Sequence, residues 1–231
     1  MEGEIATNTD PTDGWSLIVP LKPLAHAKSR LERATGGPWR PRLALAFAQD
    51  TVAAALACRA VHDVVVVTDD PVAAAALAEL GARVVPDAPA AGLNPALAHG
   101  ARAARARRAG CPVAALNADL PALRPGELDR VLEFSSGFPR TFLTDAAGIG
   151  TTFLSARRGS ELRPVFGGPS RLRHLASGAR EVTLAGLDSV RRDVDTGEDL
   201  RVALELGVGP HTAALDAAAA LDAGAAPAGD R

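Results

Sequence analysis

The amino-acid sequence predicts an α/β protein built on a doubly wound, mostly parallel β-sheet. Short apolar segments recur through the first half of the chain, and segments with helical spacing separate them. The apolar segments do not alternate strictly with polar residues, which is typical of strands that helices cover on both faces. Strand–helix–strand units of this kind form sheets with right-handed crossovers, and functional sites in such sheets lie beyond the carboxyl ends of the strands.

Strands and helices are predicted to alternate up to residue 117. The β-branched run WSLIVP opens the series, and DVVVVT, ARVVP and PVAALN follow it. The stretches between these runs have the periodicity of helices. The predicted strands are residues 15–20, 63–68, 82–86 and 112–117, and the predicted helices are residues 42–58, 71–80 and 94–109.

The second half of the chain departs from this rhythm. Residues 140–144 and 151–155 are apolar runs, and the loop between them is too short for a crossover helix. We therefore expect an antiparallel hairpin inserted into the sheet. The remaining predicted elements are a short helix at 169–177, short strands at 182–184 and 190–194, and a last helix at 196–206.

Length and composition are those of one globular domain. The chain has 231 residues, of which 47% are hydrophobic and 23% are charged, and single domains commonly have this size. We expect the domain to span residues 15–211. Mobile tails are expected at residues 1–14 and 212–231, the second because it is rich in alanine, glycine and aspartate.

The charge balance and the aromatic content indicate which kind of molecule the protein binds. Lysine and arginine total 25 against 27 acidic residues, and the chain has no tyrosine and 3% aromatic residues. This composition argues against a nucleic-acid binder that depends on a basic surface and on stacking side chains. No apolar stretch approaches the ~20 residues of a membrane span, and the N-terminus lacks the order of a signal peptide. We expect a cytoplasmic protein with small-molecule partners.

The two lysines of the chain lie close together after the first predicted strand. Lys22 and Lys28 are the only lysines among the 25 basic residues, and the rest are arginines. Compact ammonium charges at the exit of a strand favour contact with phosphate. The alternative is that both are solvated loop lysines.

Three aspartates are candidates for holding a divalent cation. Asp119 follows the strand at 112–117, and Asp193 and Asp195 alternate in an extended segment, which puts their carboxylates on one face. Each has an alternative explanation. Asp119 is also placed like a helix N-cap, and Asp195 can cap the last helix with Glu198 in a capping-box arrangement.

Two glycine-bearing turns precede hydroxyl residues. They are GIGTT at residues 148–152 and FGGPS at residues 166–170. Glycines let main-chain amides approach an anion, and hydroxyl groups add donors, so each turn can seat a phosphate or a carboxylate. The alternatives are a plain hairpin turn and a plain helix N-cap. The chain has no Walker A motif, no GxGxxG and no GxSxG, which argues against P-loop enzymes, dinucleotide dehydrogenases and hydrolase triads.

Five segments together resemble the landmarks of one family. Residues 19–31, 117–123, 148–152, 166–170 and 193–196 are similar, in this order, to those of the phosphoenolpyruvate or 2-phospho-L-lactate guanylyltransferases. That family acts in the biosynthesis of the deazaflavin coenzyme F-420. The resemblance covers about residues 15 to 210, and it implies a nucleotide-diphospho-sugar-transferase-like, or nucleotidyltransferase, fold.

The resemblance also implies a role for each candidate residue. Asp119, Asp193 and Asp195 would be the carboxylates that bind the metal, Mg²⁺. The phosphorylated three-carbon acid would be held by Thr151, Gly167 and Ser170. Lys22 and Lys28 would face the nucleotide phosphates, and with Asp119 they would form the catalytic set.

The activity that the resemblance implies is transfer of GMP from GTP to phosphoenolpyruvate, which gives enolpyruvoyl-diphospho-guanosine and pyrophosphate. One alternative is the same chemistry with 2-phospho-L-lactate or 3-phosphoglycerate as the acceptor. Another is a nucleotide-binding regulatory module without catalytic activity. The sequence leaves open whether the chain forms a homo-oligomer.

Overall fold

The computed structural model describes residues 14–26, 31, 39–88 and 90–215. Seven strands and eight α-helices lie in these ranges, together with a short 3₁₀ turn at Leu24–His26. The strands are β1 (Trp15–Pro20), β2 (Val61–Val67), β3 (Arg83–Val85), β4 (Val113–Leu116), β5 (Arg140–Leu143), β6 (Phe153–Ala156) and β7 (Arg180–Glu181). The helices are α1 (Trp39–Leu56), α2 (Pro71–Glu79), α3 (Leu93–Arg107), α4 (Pro125–Ser135), α5 (Ser170–Ala176), α6 (Asp188–Arg191), α7 (Gly197–Leu206) and α8 (Pro210–Ala213).

The strands form one mixed sheet in the order β3-β2-β1-β4-β6-β5-β7. β1, β2, β3 and β4 pair in parallel, and β7 pairs in parallel with β5. β6 runs antiparallel to both of its neighbours, β4 and β5. The prediction of a mostly parallel sheet with an inserted antiparallel hairpin is confirmed. Because β6 runs in the opposite direction, it begins at the edge of the sheet where β4 ends.

Alternate side chains of the central strands enter two different apolar cores. Leu17 and Val19 of β1 pack with α1, α2 and α4 on one face, whereas Ile18 packs with α3 on the other. Gly100 of α3 lies where this helix crosses the sheet, and a Cβ there would lie 2.5 Å from Ile18 Cγ2 and 2.7 Å from Val67 Cγ2. A glycine at this position therefore lets α3 pack closely, with its first turn beside the carboxyl ends of β1 and β2.

Two short strands were predicted incorrectly, and three helices, α4, α6 and α8, were missed. Residues 190–194 are not a strand, because the turn of helix α6 buries Val190, and Val194 is buried in a separate cluster behind α7. β7 lies at Arg180–Glu181 rather than at 182–184, although the Val182 amide still donates to the Phe142 carbonyl at 2.8 Å. The longest of the missed helices is α4, whose buried face has the i, i+3, i+4 spacing of an amphipathic helix.

The C-terminal helix α8 is attached to the core through Asp50 of α1. Asp50 is buried, and its carboxylate accepts the His211 and Thr212 amides, both at 2.9 Å. The domain boundary expected at residue 211 falls inside this helix, and Thr212 is buried. The other residues assigned to tails, apart from 14 and 213–215, lie outside the described ranges. Within those ranges, no helix is long and apolar enough to cross a membrane.

Candidate active site

An open cleft lies beyond the carboxyl ends of the first three strands. The ends of β1 and β2, the loops that follow them, and the first turn of α3 surround a volume of about 430 Å³, counted with its open mouth. The residues that line the cleft are Pro20, Leu21, Lys22, Pro23, Val67, Asp69, Asp87, Gly92, Leu93 and Ala96.

Lys22 is the predicted phosphate-binding residue that this cleft contains. Its side chain is exposed and lies in the loop directly after β1. Asp69 and Asp87, in the loops that follow β2 and β3, also line the cleft. The Asp69 carboxylate accepts the Asp87 amide at 3.0 Å. Lys28 lies outside the described residues.

The predicted metal-binding aspartates lie on two neighbouring loops. Asp119 follows β4, and its carbonyl accepts the Val194 amide at 3.0 Å. Asp193 and Asp195 flank Val194, so this backbone bond brings their segment alongside Asp119. Among the described residues, no three histidine, cysteine, aspartate or glutamate side chains form a group that could hold a metal ion by themselves.

Neither capping alternative holds for these aspartates. Helix α7 is capped by Thr196, whose hydroxyl accepts the Asp199 amide, and the Asp199 carboxylate completes the capping box. Thr196 and Asp199 thus fill the roles that had been assigned to Asp195 and Glu198. The first helix after Asp119 is α4, which begins at Pro125 with Arg124 as its N-cap. The N-caps of α4 and α7 are therefore Arg124 and Thr196, not Asp119 and Asp195.

The two glycine-bearing turns meet through a buried hydroxyl pair. The Ser170 hydroxyl donates to Thr151 Oγ1 at 2.9 Å, and both side chains are buried. Ser170 is the first residue of α5, but its side chain makes no capping bond to that helix. The N-cap alternative for Ser170 is therefore wrong. Thr151 lies just before β6, and the neighbouring Thr152 carbonyl accepts the Asn117 amide at 3.0 Å, which links this pair to the Asp119 loop.

Asp145 shapes the first of these turns. Its carboxylate accepts the Ile149 amide at 2.9 Å and the Gly150 amide at 2.8 Å. Gly148 has a φ of +73°, and a Cβ at Gly150 would collide with the Asp145 carboxylate. This part of the motif does form a hairpin turn, as the alternative interpretation supposed.

The second turn is held by Asn94 of α3. The Asn94 side-chain oxygen accepts the Phe166 amide at 2.8 Å, and its amide group donates to the Phe166 carbonyl at 3.2 Å. Gly167 and Gly168 follow with φ values of +95° and +47°, a region that glycine adopts readily, and nothing lies within 4 Å of a Cβ built at either. Asn94 therefore connects this loop to the helix that borders the cleft.

His174 completes the site and was not predicted. It is fully buried, and its Nδ1 lies 3.0 Å from Thr151 Oγ1. Burial, together with the positive charges of Arg140 and Arg173, lowers the pKa of His174 to about 4. A sequence signal existed, because Ser170 and His174 lie one helical turn apart and share a face of α5.

Acidification is expected to destabilise the protein through His174. Its pKa is about 4 in the folded chain against an ordinary value of 6.5. Between these values the unfolded chain binds a proton that the folded chain does not, so the free energy of unfolding decreases as the pH falls from about 6.5 towards 4. The non-titrating variant His174→Gln should lose less stability over this interval, measured by denaturant unfolding at several pH values. Equal losses in both proteins would contradict the expectation.

The mixed sheet, with a cleft beyond the carboxyl ends of its parallel strands, has the architecture of an α/β nucleotidyltransferase. Residues 15–215 match the model of the family described as guanylyl transferase CofC like, and the chain belongs to this family. It is 66% identical over 203 residues to the phosphoenolpyruvate guanylyltransferase of Streptomyces avermitilis, which covers 88% of this chain and 94% of that protein. The resemblance seen in the sequence motifs is thereby confirmed.

Two examples represent the solved structures that share the fold. One is a protein from Desulfovibrio desulfuricans G20 assigned to the nucleotide-diphospho-sugar transferases, with a TM-score of 0.68, 17% identity and coverage of 91% of this chain and 98% of that chain. The other is a nucleotidyl transferase from Methanothermobacter thermautotroptrophicus, with a TM-score of 0.60, 22% identity and coverage of 84% and 97%. At these identities the likeness concerns the fold, and it confirms the predicted fold class.

Proposed function

We propose that this chain transfers GMP from GTP to phosphoenolpyruvate, releasing pyrophosphate, as a cytoplasmic enzyme of F-420 biosynthesis. The observation that carries the proposal is the 66% identity, over 88% of the chain, to a phosphoenolpyruvate guanylyltransferase. The local geometry supports it, because the cleft, the aspartate loops and the hydroxyl pair all lie at one edge of the sheet. That edge is the usual location of ligands in doubly wound folds.

The reaction needs orientation and charge neutralisation more than a covalent nucleophile. A phosphate oxygen of phosphoenolpyruvate forms a bond to the α-phosphorus of GTP, and the bond from that phosphorus to the bridging oxygen breaks as pyrophosphate leaves. The attacking oxygen is already ionised at neutral pH, so no side chain has to remove a proton. Catalysis therefore depends on holding the two substrates in line and on offsetting their negative charge.

The carboxylates of Asp119, Asp193 and Asp195 would hold Mg²⁺. They supply hard oxygen ligands, and Mg²⁺ commonly takes only one or two carboxylates, with phosphate oxygens and water completing its coordination. The two aspartate loops therefore fit this ion, although they do not form a closed cage of three side chains. When bound, Mg²⁺ would neutralise charge on the reacting phosphates.

The remaining residues divide between the two substrates. Lys22 and Lys28 would offset charge on the leaving pyrophosphate, and the cleft beside Lys22 would take the nucleotide. Thr151, Gly167 and Ser170 would hold the acid. The Thr151 hydroxyl would be the donor to the acid, the Ser170 hydroxyl would orient it by donating to Thr151 Oγ1, and the glycine would allow close approach of the main chain.

The experiment that tests this proposal is product analysis by mass spectrometry. The protein is incubated with GTP, Mg²⁺ and, in separate reactions, phosphoenolpyruvate, 2-phospho-L-lactate or 3-phosphoglycerate. The enolpyruvoyl-diphospho-guanosine product and pyrophosphate are expected in the first reaction. A product only with another acid would change the acceptor, and no pyrophosphate with any acid would favour a regulatory module.

A preference for GTP over ATP is expected, and the cleft offers a physical reason for it. Asp69 and Asp87 line the cleft, and a carboxylate can accept both the N1–H and the 2-amino group of guanine, whereas adenine presents an acceptor at N1. We expect one of these two carboxylates to contact guanine. The corresponding variant, Asp69→Asn or Asp87→Asn, should reduce the GTP-to-ATP ratio of kcat/KM by about tenfold or more.

The matched control is Glu79→Gln, which removes an exposed carboxylate at the end of α2, outside the cleft. This variant should keep the ratio of the unmodified protein. Comparable rates with ATP and GTP in the unmodified protein would overturn the base preference. Unchanged ratios in both Asp69→Asn and Asp87→Asn would overturn the assignment of the carboxylates.

A further inference from the structure

We propose that His174 is a positioning residue for the acid site, and that it acts by making the Thr151 hydroxyl a donor to the phosphorylated acid. This inference rests on the proposed function, because it assumes that Thr151 contacts the acid. His174 itself is buried below Thr151 and Ser170, so it acts through these hydroxyl groups rather than by touching the substrate.

The hydrogen-bond partners of the imidazole determine which nitrogen carries the proton. The Val165 amide donates to Nε2 at 3.3 Å, so Nε2 must be the acceptor. In a neutral ring the proton then lies on Nδ1, which donates to Thr151 Oγ1 at 3.0 Å. The lowered pKa of His174 agrees with a neutral ring at physiological pH.

Counting hydrogen-bond donors and acceptors in the same way shows whether the Thr151 hydroxyl donates or accepts. Its oxygen accepts one bond from His174 and a second from the Ser170 hydroxyl at 2.9 Å. A hydroxyl oxygen has two acceptor positions and one donor. With both acceptor positions filled, Thr151 interacts with a further group only as a donor, which is the role that a phosphate or carboxylate oxygen requires.

The surroundings hold the imidazole in this orientation. The Phe166 ring meets it edge to face at a centroid distance of 5.1 Å, and the Phe142 ring lies at 5.6 Å. Arg140 donates to the carbonyls of Leu162, Arg163 and Ser177, and so ties the segment before Val165 to the end of α5. The Val165 amide that donates to Nε2 and the Nδ1–H that donates to Thr151 are thus fixed together.

Two amide variants separate positioning from packing. The side chain of His174→Asn brings an N–H donor to about the place of Nδ1, whereas that of His174→Gln reaches the place of Nε2 and leaves Thr151 without this donor. We expect His174→Gln to raise the KM for phosphoenolpyruvate about tenfold, and His174→Asn to stay within about threefold of the unmodified protein. The KM for GTP should change little in either variant.

If His174 had a purely structural role, its replacement would change thermal stability rather than the KM for the acid alone. Both variants lose the buried ring, and asparagine, which is smaller than glutamine, leaves the larger cavity. If His174 only packs, His174→Asn should be the worse variant in both stability and KM. The opposite order of the two KM values supports the proposal, and a larger KM effect for asparagine overturns it.

A double variant tests whether His174 acts through Thr151. Thr151→Val removes the hydroxyl, so adding His174→Gln to it should raise the KM for the acid no further. Independent, multiplied effects would overturn the proposal. If Thr151→Val raises the KM and His174→Gln does not, His174 has no positioning role although the acid site stands. If Thr151→Val itself leaves the KM unchanged, the acid site of the proposed function fails, and this inference fails with it.

Discussion

Asp119→Asn and Asp193→Asn should each lower kcat by at least about a hundredfold while the protein remains folded. Asparagine has nearly the shape of aspartate, but it lacks the negative charge that would hold Mg²⁺ against the substrate phosphates. The Val194 amide bonds to the backbone carbonyl of Asp119, so the side-chain change does not break the contact between the two loops. The loss should therefore fall on turnover rather than on stability.

Asp188→Asn is the matched control for these two variants. Asp188 lies on α6, close in sequence to Asp193, and its side chain is exposed. This control should retain the turnover of the unmodified protein, with kcat measured by pyrophosphate release and folding checked by thermal unfolding. Unmodified turnover in both Asp119→Asn and Asp193→Asn would remove the metal assignment.

Ser170→Ala and Thr151→Val should raise the KM for phosphoenolpyruvate by roughly ten- to hundredfold and leave the KM for GTP little changed. A hydrogen bond to a charged ligand is worth about 1.5–3 kcal/mol, which corresponds to this range. Thr151→Val removes the donor to the acid, and Ser170→Ala removes the hydroxyl that donates to Thr151 Oγ1 and so orients that donor. Ser170 makes no capping bond to α5, so its replacement should not cost the stability of a lost N-cap.

Another buried hydroxyl network supplies the control. Ser135 and Thr141 join through their hydroxyl oxygens at 2.5 Å, and Thr141 joins Ser155 at 2.6 Å, away from the candidate site. Ser135→Ala should lower the melting temperature and leave both KM values unchanged. A Ser170→Ala protein that behaves in the same way would mean that the acid binds elsewhere.

Local patterns predicted most of the sheet. The structure of the valine-rich strand β2 and of the short β5–β6 loop depends mainly on residues that are adjacent in the sequence. Both were recognised from the sequence for this reason. Val190 and Val194 misled the prediction because each is buried in a different apolar cluster. The hydrophobicity of a residue indicates that it is buried, but it does not indicate which residues it packs against.

The site was predictable in its motifs but not in its connections. Thr151 and Ser170 were identified as hydroxyl residues after glycines, yet the bond between Thr151 and His174 joins residues 23 positions apart. The contact between Asn94 and Phe166 spans 72 positions. Such pairings follow from tertiary packing, and no local pattern records them.

The bond between Asn94 and Phe166 has a mechanical consequence. Asn94 lies in the first turn of α3, which borders the cleft, and its side chain pairs with both backbone groups of Phe166. These two hydrogen bonds hold the cleft wall and the loop of Gly167 and Gly168 against each other, although the two segments lie far apart along the chain. Neither can slide past the other without breaking two hydrogen bonds, so the distance between the two is set by the scaffold before any ligand arrives.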